Sequence, residues 1–294
     1  MNVFRSSGFI LALLSAAILC VACGSNPNRQ NTSALASARA QIYDRATVQF
    51  EEAAFFKPND SWADEIGVTL APLLMQEVKG SEPTRQQFGS LTSDGRKLAV
   101  DTNNPTLYFR KDKIWLKGME RDQVAFLWFH NEANGIVPQG VRITLDADGH
   151  PALWEILHDT SGVQQVFASQ SLEAAASAQF GAPLPGRRSA LEQSVADAPQ
   201  VAVSRVISDG PLVMGPAIYL NAGNHDVATL ICRCMPPQVS ELVSSSLYDI
   251  ADMSDPATER LVKQALRTAK SSGPNWLNEG AEETEMRLRL PDRF

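Results

Sequence analysis

Cysteine and histidine are scarce in this chain, at four each in 294 residues. Four cysteines exclude a disulfide-dense scaffold, and only Cys232 and Cys234 lie beyond the first 23 residues. No long apolar run follows the N-terminus, and a membrane-crossing helix needs about 20 apolar residues. Positive charge is in deficit: 26 Lys and Arg stand against 33 Asp and Glu, a net charge of −7. That balance opposes non-specific nucleic-acid binding, which neutralises phosphates with Lys and Arg. It opposes adhesion to anionic lipid for the same reason. Catalytic signatures are missing too. There is no Gly-x-Ser-x-Gly elbow, His-Glu-x-x-His helix, Walker loop or Gly-x-Gly-x-x-Gly turn. No repeat has a period that would mark a solenoid or propeller. Hydrophobic residues make up 44% of the chain, enough for a packed core.

The N-terminus is the most informative stretch present. Arg5 precedes an apolar run over residues 9–19, which closes on Cys20-Val21-Ala22-Cys23-Gly24. A basic start, a short apolar core and a small residue before a cut site make a secretory signal. The Ala22-Cys23 junction resembles the lipobox of bacterial lipoproteins. Cys20 departs from the Leu, Val or Ile usual at its position in that pattern. Processing at Cys20 instead would put the large Leu19 before the cut. The resemblance implies cleavage after residue 22, lipidation of Cys23 with acyl chains such as palmitate, and anchoring in the cell envelope. Gly24, where the class uses Asp as an inner-membrane retention signal, implies an outer-membrane destination if the cell has one. Two acyl chains already suffice for stable anchoring.

Three segments follow: a signal over 1–22, a lipidated cysteine with polar tether and possible helical spacer over 23–56, and one globular domain over 57–294. Ile42, Ala46, Phe50 and Ala54 recur at helical spacing and predict a helix within 34–56. A second helix is expected from Asp60 or Ser61, kinked by Gly67 and Pro72 before residues 73–78. Aromatic and β-branched runs at 106–109, 113–116, 124–129, 140–145 and 151–157 predict strands. Lys111-Asp112, Asn134-Gly135 and Asp148-Gly149 are the turns between them. Val141, Ile143 and Leu145 alternate with Arg142 and Thr144, which predicts a strand with one wet face. Further strands are expected at 163–168, 201–207, 217–220 and 227–234, and a last one where Met286, Leu288 and Leu290 alternate with Arg287 and Arg289. Ser169 or Ser171 caps a helix ending at Gly181, and Asp255-Pro256 opens another. The expected fold class is α+β, an antiparallel meander flanked by helices.

Cys232-Arg233-Cys234-Met235 carries the most chemistry. Residues two apart share a strand face, so Ala228, Leu230, Cys232 and Cys234 form an apolar one. Three readings are open: two buried thiols, a disulfide strained by the extended spacing, or a soft-metal or redox site. In the last, two thiolates, the Met235 thioether and His225 would suit Cu(I). His225 otherwise reads as an exposed turn histidine. Asp146-Ala147-Asp148-Gly149 resembles the start of a calcium loop but lacks the closing acid, Leu157 standing at the twelfth position, so a hairpin turn is the better account. His130, His150 and His158 are general-base candidates with no nucleophile at a recognisable spacing. Trp115, Phe126, Trp128, Phe129 and Trp154 read as core or as the lining of a cleft. Arg187 and Arg188, after a stiff proline loop, read as solvated or as contacts for an anionic partner such as a cell-wall polymer. The expected function is a lipid-anchored envelope protein with a binding or structural role, its partners being the membrane through the lipid and an envelope protein or cell-wall component. An envelope thiol-redox or metal protein centred on Cys232 and Cys234 is the alternative.

Overall fold

The structure is a computed structural model that describes residues 27–47, 49–59, 65–80, 87–95, 97–132, 135–193, 201–210, 212–233, 238–269 and 279–294. The signal, Cys20, Cys23, Cys234 and Met235 lie outside the described residues. A 13-stranded mixed sheet dominates, and the expected α+β meander flanked by helices is overturned. β5 (Thr106–Leu116), β6 (Met119–Glu132), β7 (Gly135–Leu145), β8 (Pro151–Ile156) and β9 (Gln164–Ser169) are consecutive antiparallel neighbours. The sheet then continues through parallel pairs. On one side β10 (Val201–Ile207) lies parallel to β9. On the other, β13 (Val239–Asp252) returns from near the C-terminus to lie parallel to β5 and to β1 (Phe50–Pro58). β2 (Leu73–Glu77), β11 (Ala217–Leu220) and β12 (Val227–Ile231) complete the path, with a side hairpin of β3 (Phe88–Ser93) and β4 (Leu98–Asp101).

The two ends of this path meet. Gln165 Nε2 on β9 donates to the Ala228 carbonyl on β12 at 3.2 Å, so the sheet curls almost into a barrel. Register shifts at Ala53/Ala54, Thr144/Leu145, Val203/Arg205 and Tyr219/Leu220 supply bends. Inward residues alternate along the strands: Val124, Phe126 and Trp128 from β6, Val141 and Ile143 from β7, Ile156 from β8, Phe56 from β1. Helices cover the outer face. α1 (Pro27–Arg45) lies over the seam, where Ile42 and Tyr43 pack on Val163 and Ala202. α3 (Gln170–Phe180) covers Leu153, Val166 and Val203, and α4 (Pro256–Thr268) covers Leu127, Phe129 and Tyr108. α2 (Glu65–Leu70) is one short turn, and α5 (Ala281–Arg287) closes the chain.

Several local expectations are corrected. Residues 50–56 form β1, not helix, because two partner strands satisfy their backbone and Phe55 and Phe56 suit a strand. Residues 73–77 form β2 beside it. Lys111 and Asp112 lie inside β5, and the turn falls at Lys117-Gly118, both with positive φ (51° and 74°). The polar face of β7 is dry: Arg142 is 3% exposed and Thr144 fully buried. Arg142 forks onto Glu155 at 3.0 and 2.9 Å, and Thr284 of α5 donates to the same carboxylate at 3.0 Å. The alternation at 286–290 belongs to α5 and one isolated bridge from Leu288 to Glu192. Trp115 is exposed, not core. Arg188 stacks its guanidinium 4.2 Å from the Tyr43 ring, and Arg187 Nε donates to the Gln193 carbonyl, so both arginines brace the loop beneath α1. The two capping signals hold: Ser169 Oγ accepts from Leu172 N–H, and Asp255 from Thr258 N–H.

Candidate functional site

The barrel has two unlike ends. At one end β6 finishes with His130 and Glu132, the first half of β7 brings Gln139 nearby, and the turns after β8 and before β12 fold across. The 221–226 turn, read from its sequence as solvent-facing, tucks its histidine inward: His225 takes a left-handed φ of 58° and is 3% exposed. Its ring stacks on His130 at 3.8 Å with an interplanar angle of 6°. Burial pulls His225 down to about 4, so it is neutral at ordinary pH. Its 3.8 Å approach to Glu132 is then a dipolar contact and not an ion pair. Burial raises the Glu132 carboxyl as well. Gln139, 1% exposed, spans the gap by donating to the His158 and His225 carbonyls at 3.1 and 3.2 Å.

Beside this stack lies a carboxylate pair tied to α1. Asp226 accepts from Thr160 N–H (3.0 Å), Asn224 Nδ2 (2.8 Å) and Arg45 Nη1 (3.3 Å), and Arg45 Nη2 donates to Asp159. Burial and the nearby Asp159 charge raise Asp226. Every acceptor of Asp226 is thereby used on protein groups. This end is a plug: it holds the barrel shut and pins α1 over the seam.

The other end is open. The ends of β10 and β12, the start of β8, the first turn of α3, the turn after β7 and the segment before β11 surround a cleft of about 260 Å³. Trp154, Ile207, Leu230, Met214 and Pro216 give it an apolar wall. Its ionisable lining residues are Asp146, His150, Asp209 and Cys232. Asp146 Oδ1 accepts from the N–H groups of Asp148 and His150, each at 2.9 Å. That carboxylate oxygen orders its own hairpin, with Gly149 at φ 82°, as the turn reading expects. Asp209 accepts from Ser171 N–H at 3.1 Å in the first turn of α3. The segment 212–216 can lie this close to α2 only because residue 215 is glycine: a Cβ there would sit 2.2 Å from the Leu70 carbonyl oxygen. The Trp154 indole N–H is buried, with no hydrogen-bond partner among the described residues.

The structure separates the residues singled out in the sequence. Cys232, half-buried, follows the last residue of β12 at the cleft, whereas His225 lies before its first residue, in the plug. Seven residues of strand-like chain at about 3.3 Å each hold them far apart, so they do not converge on one ion. Among the described residues no three His, Cys, Asp or Glu side chains form a metal-binding group. The shared apolar face is also broken: a register shift opposite Leu220 puts Ala228 with Ile231 on the outer cluster, while Leu230 and Cys232 pack inward. His130 and His158 belong to the plug, and His150 to the rim of the cleft. Sequence reasoning missed Ile207, Asp209, Leu212, Met214 and Pro216. A signal was there: the connector between β10 and β11 carries Leu212, Val213 and Met214 together, an apolar cluster unusual in a surface loop. No family model matches this chain, and comparison with curated proteins and with solved structures found no match.

Proposed function

We propose that this protein is a lipid-anchored binding protein of the cell envelope, tethered through Cys23, with the open-end cleft as its ligand site. The observation that carries the binding half is the contrast in lining: an apolar wall around Trp154 inside a rim of polar groups, at the only mouth of the barrel that the His130–His225 plug leaves open among the described residues. Small-molecule sites have this composition, mostly apolar with a few fixed polar groups, and at about 260 Å³ this one suits a small ligand. The sequence supports the anchoring half through the lipobox resemblance at Ala22-Cys23.

Two measurements test the two halves. Cells fed an alkynyl palmitate should label the wild-type protein and leave a Cys23→Ala variant unlabelled; equal labelling of both removes the anchor. For the cleft, the neutral dye N-phenyl-1-naphthylamine should brighten with the wild-type protein. A Leu212→Trp variant, which crowds the opening from an exposed position, should weaken the signal while unfolding at a similar urea concentration. Undiminished brightening with that variant would place dye binding elsewhere and sink the cleft as the site.

A further inference from the structure

We infer that the cleft selects a small organic cation, a protonated or quaternary amine carried on an apolar skeleton, over a carboxylate or phosphate amphiphile of the same size. The inference rests on the cleft being the ligand site. It follows from the charges around the opening. The two acidic lining residues, Asp146 and Asp209, stand on different elements at the mouth, and no Lys or Arg is among the described lining residues. Arg233, next in sequence to Cys232, does not line the cleft, because its guanidinium turns to the Ala71 carbonyl. Among the described residues His150 is the one basic lining group, and it lies 3.8 Å from Asp146.

Both carboxylates are held in place before any ligand arrives. Asp146 is fixed by the N–H groups of its own hairpin, and Asp209 by Ser171 at the start of α3. Held acceptors cost little ordering on binding. An anionic head group would meet two negative charges and no positively charged Lys or Arg among the described lining residues, while an ammonium would meet two attractive ones. The skeleton then enters the apolar wall, where burial contributes roughly 25 cal/mol per Å². The face of Trp154 is one more surface able to attract a cation. The net charge of −7 adds to the same preference at long range.

One skeleton with three head groups decides the matter: 4-phenylbutylamine, 4-phenylbutanol and 4-phenylbutyrate, titrated into the full-length protein at pH 7 with Trp fluorescence and calorimetry as readouts. The amine should bind about tenfold tighter than the alcohol, given one half-buried carboxylate and one exposed one, and the alcohol tighter than the acid. Raising the salt to 1 M should shrink the first ratio, because screening shortens to about 3 Å. Asp209→Asn and Asp146→Asn should each reduce it, while Glu259→Gln on distant α4 leaves it unchanged. If amine and alcohol bind equally, or the acid binds tightest, the selection is wrong and the cleft remains a ligand site. If none of the three binds, or Leu212→Trp binds all three as the wild type does, the cleft reading fails and takes the selection with it.

Discussion

The two mouths of the barrel are built from the same residue types and do opposite work. The plug holds His130, His158, His225, Asp159 and Asp226, each 3% exposed or less; its two carboxylates engage Arg45, and its His130 and His225 rings stack on one another. The cleft holds His150, Asp146 and Asp209, which remain in contact with water, around an apolar wall. Histidine and aspartate alone therefore do not mark a site. What distinguishes the ends is whether those side chains bond inward to the protein or leave space for something else. In the plug, polar chemistry is spent on stability; in the cleft, stability comes from Trp154, Ile207 and Leu230, and the polar groups remain available.

The sharpest way to break this comparison is to remove one carboxylate from each end. Asp226→Ala strips acceptors from Thr160 and Asn224 and removes one of the two buried carboxylates that Arg45 engages, leaving it Asp159 alone. Truncating one partner of a buried ion pair costs about 3–5 kcal/mol. Asp209→Ala removes a partly exposed acceptor at the start of a helix, for about 1 kcal/mol or less. Urea unfolding should rank them in that order. Equal losses would erase the distinction between plug and cleft.

Acid provides the next largest effect. His225 is held at about 4 against an ordinary value of 6.5, so the unfolded chain binds its proton first. Its contribution is complete above pH 6.5 and is lost as pH falls from there toward 4, up to about 3 kcal/mol in all. Glu132 and Asp226 act in the opposite sense, since burial raises both and protonation relieves them as pH falls. The decisive quantity is therefore the difference between wild type and His225→Asn, a substitution that tolerates the left-handed backbone. Wild-type stability should fall more steeply than the variant's between pH 6.5 and 4. Parallel curves would mean that His225 is not buried in its neutral form.

How much of this was legible follows the distance over which each feature is encoded. The caps at Ser169 and Asp255 and the turn at Asp148-Gly149 are set by three or four neighbouring residues, and the sequence carries them openly. β13 is different. Its Ser244-Ser245-Ser246 centre and exposed Leu242, Val243 and Leu247 have no strand signature, and it is a strand because β1 supplies its hydrogen bonds from nearly 190 positions away. The plug is equally non-local: His130 and His225 meet only because the barrel closes, and nothing near either one announces the stack. Arg142 looked wet because a strand cannot show that a C-terminal helix will cover it. The barrel seam lies at the same limit. Gln165→Met should cost about 1 kcal/mol for the lost bond to Ala228 and should speed amide exchange in β12 more than in β6. Uniform acceleration would mean that the seam is not held by that bond.

The smallest effect sharpens the comparison from the side of the cleft. Leu212 lines the opening and is 67% exposed, so it contributes almost nothing to folding. Leu212→Ser should leave the urea midpoint where it is, within the ±0.5 kcal/mol of an ordinary surface change. A ligand that lays its skeleton against this residue loses apolar contact, and at roughly 25 cal/mol per Å² some 40 Å² of lost burial weakens binding about fivefold. A surface leucine that changes affinity and not stability has the behaviour expected of a binding wall. A leucine that changes stability and not affinity would belong to the core, and the opening would then be only a gap in the packing. Since Gly215 holds this segment against α2, Gly215→Ala offers the complementary probe. It should disturb the wall from behind, lower affinity and stability together, and so show that the position of the segment, beyond its composition, makes the cleft.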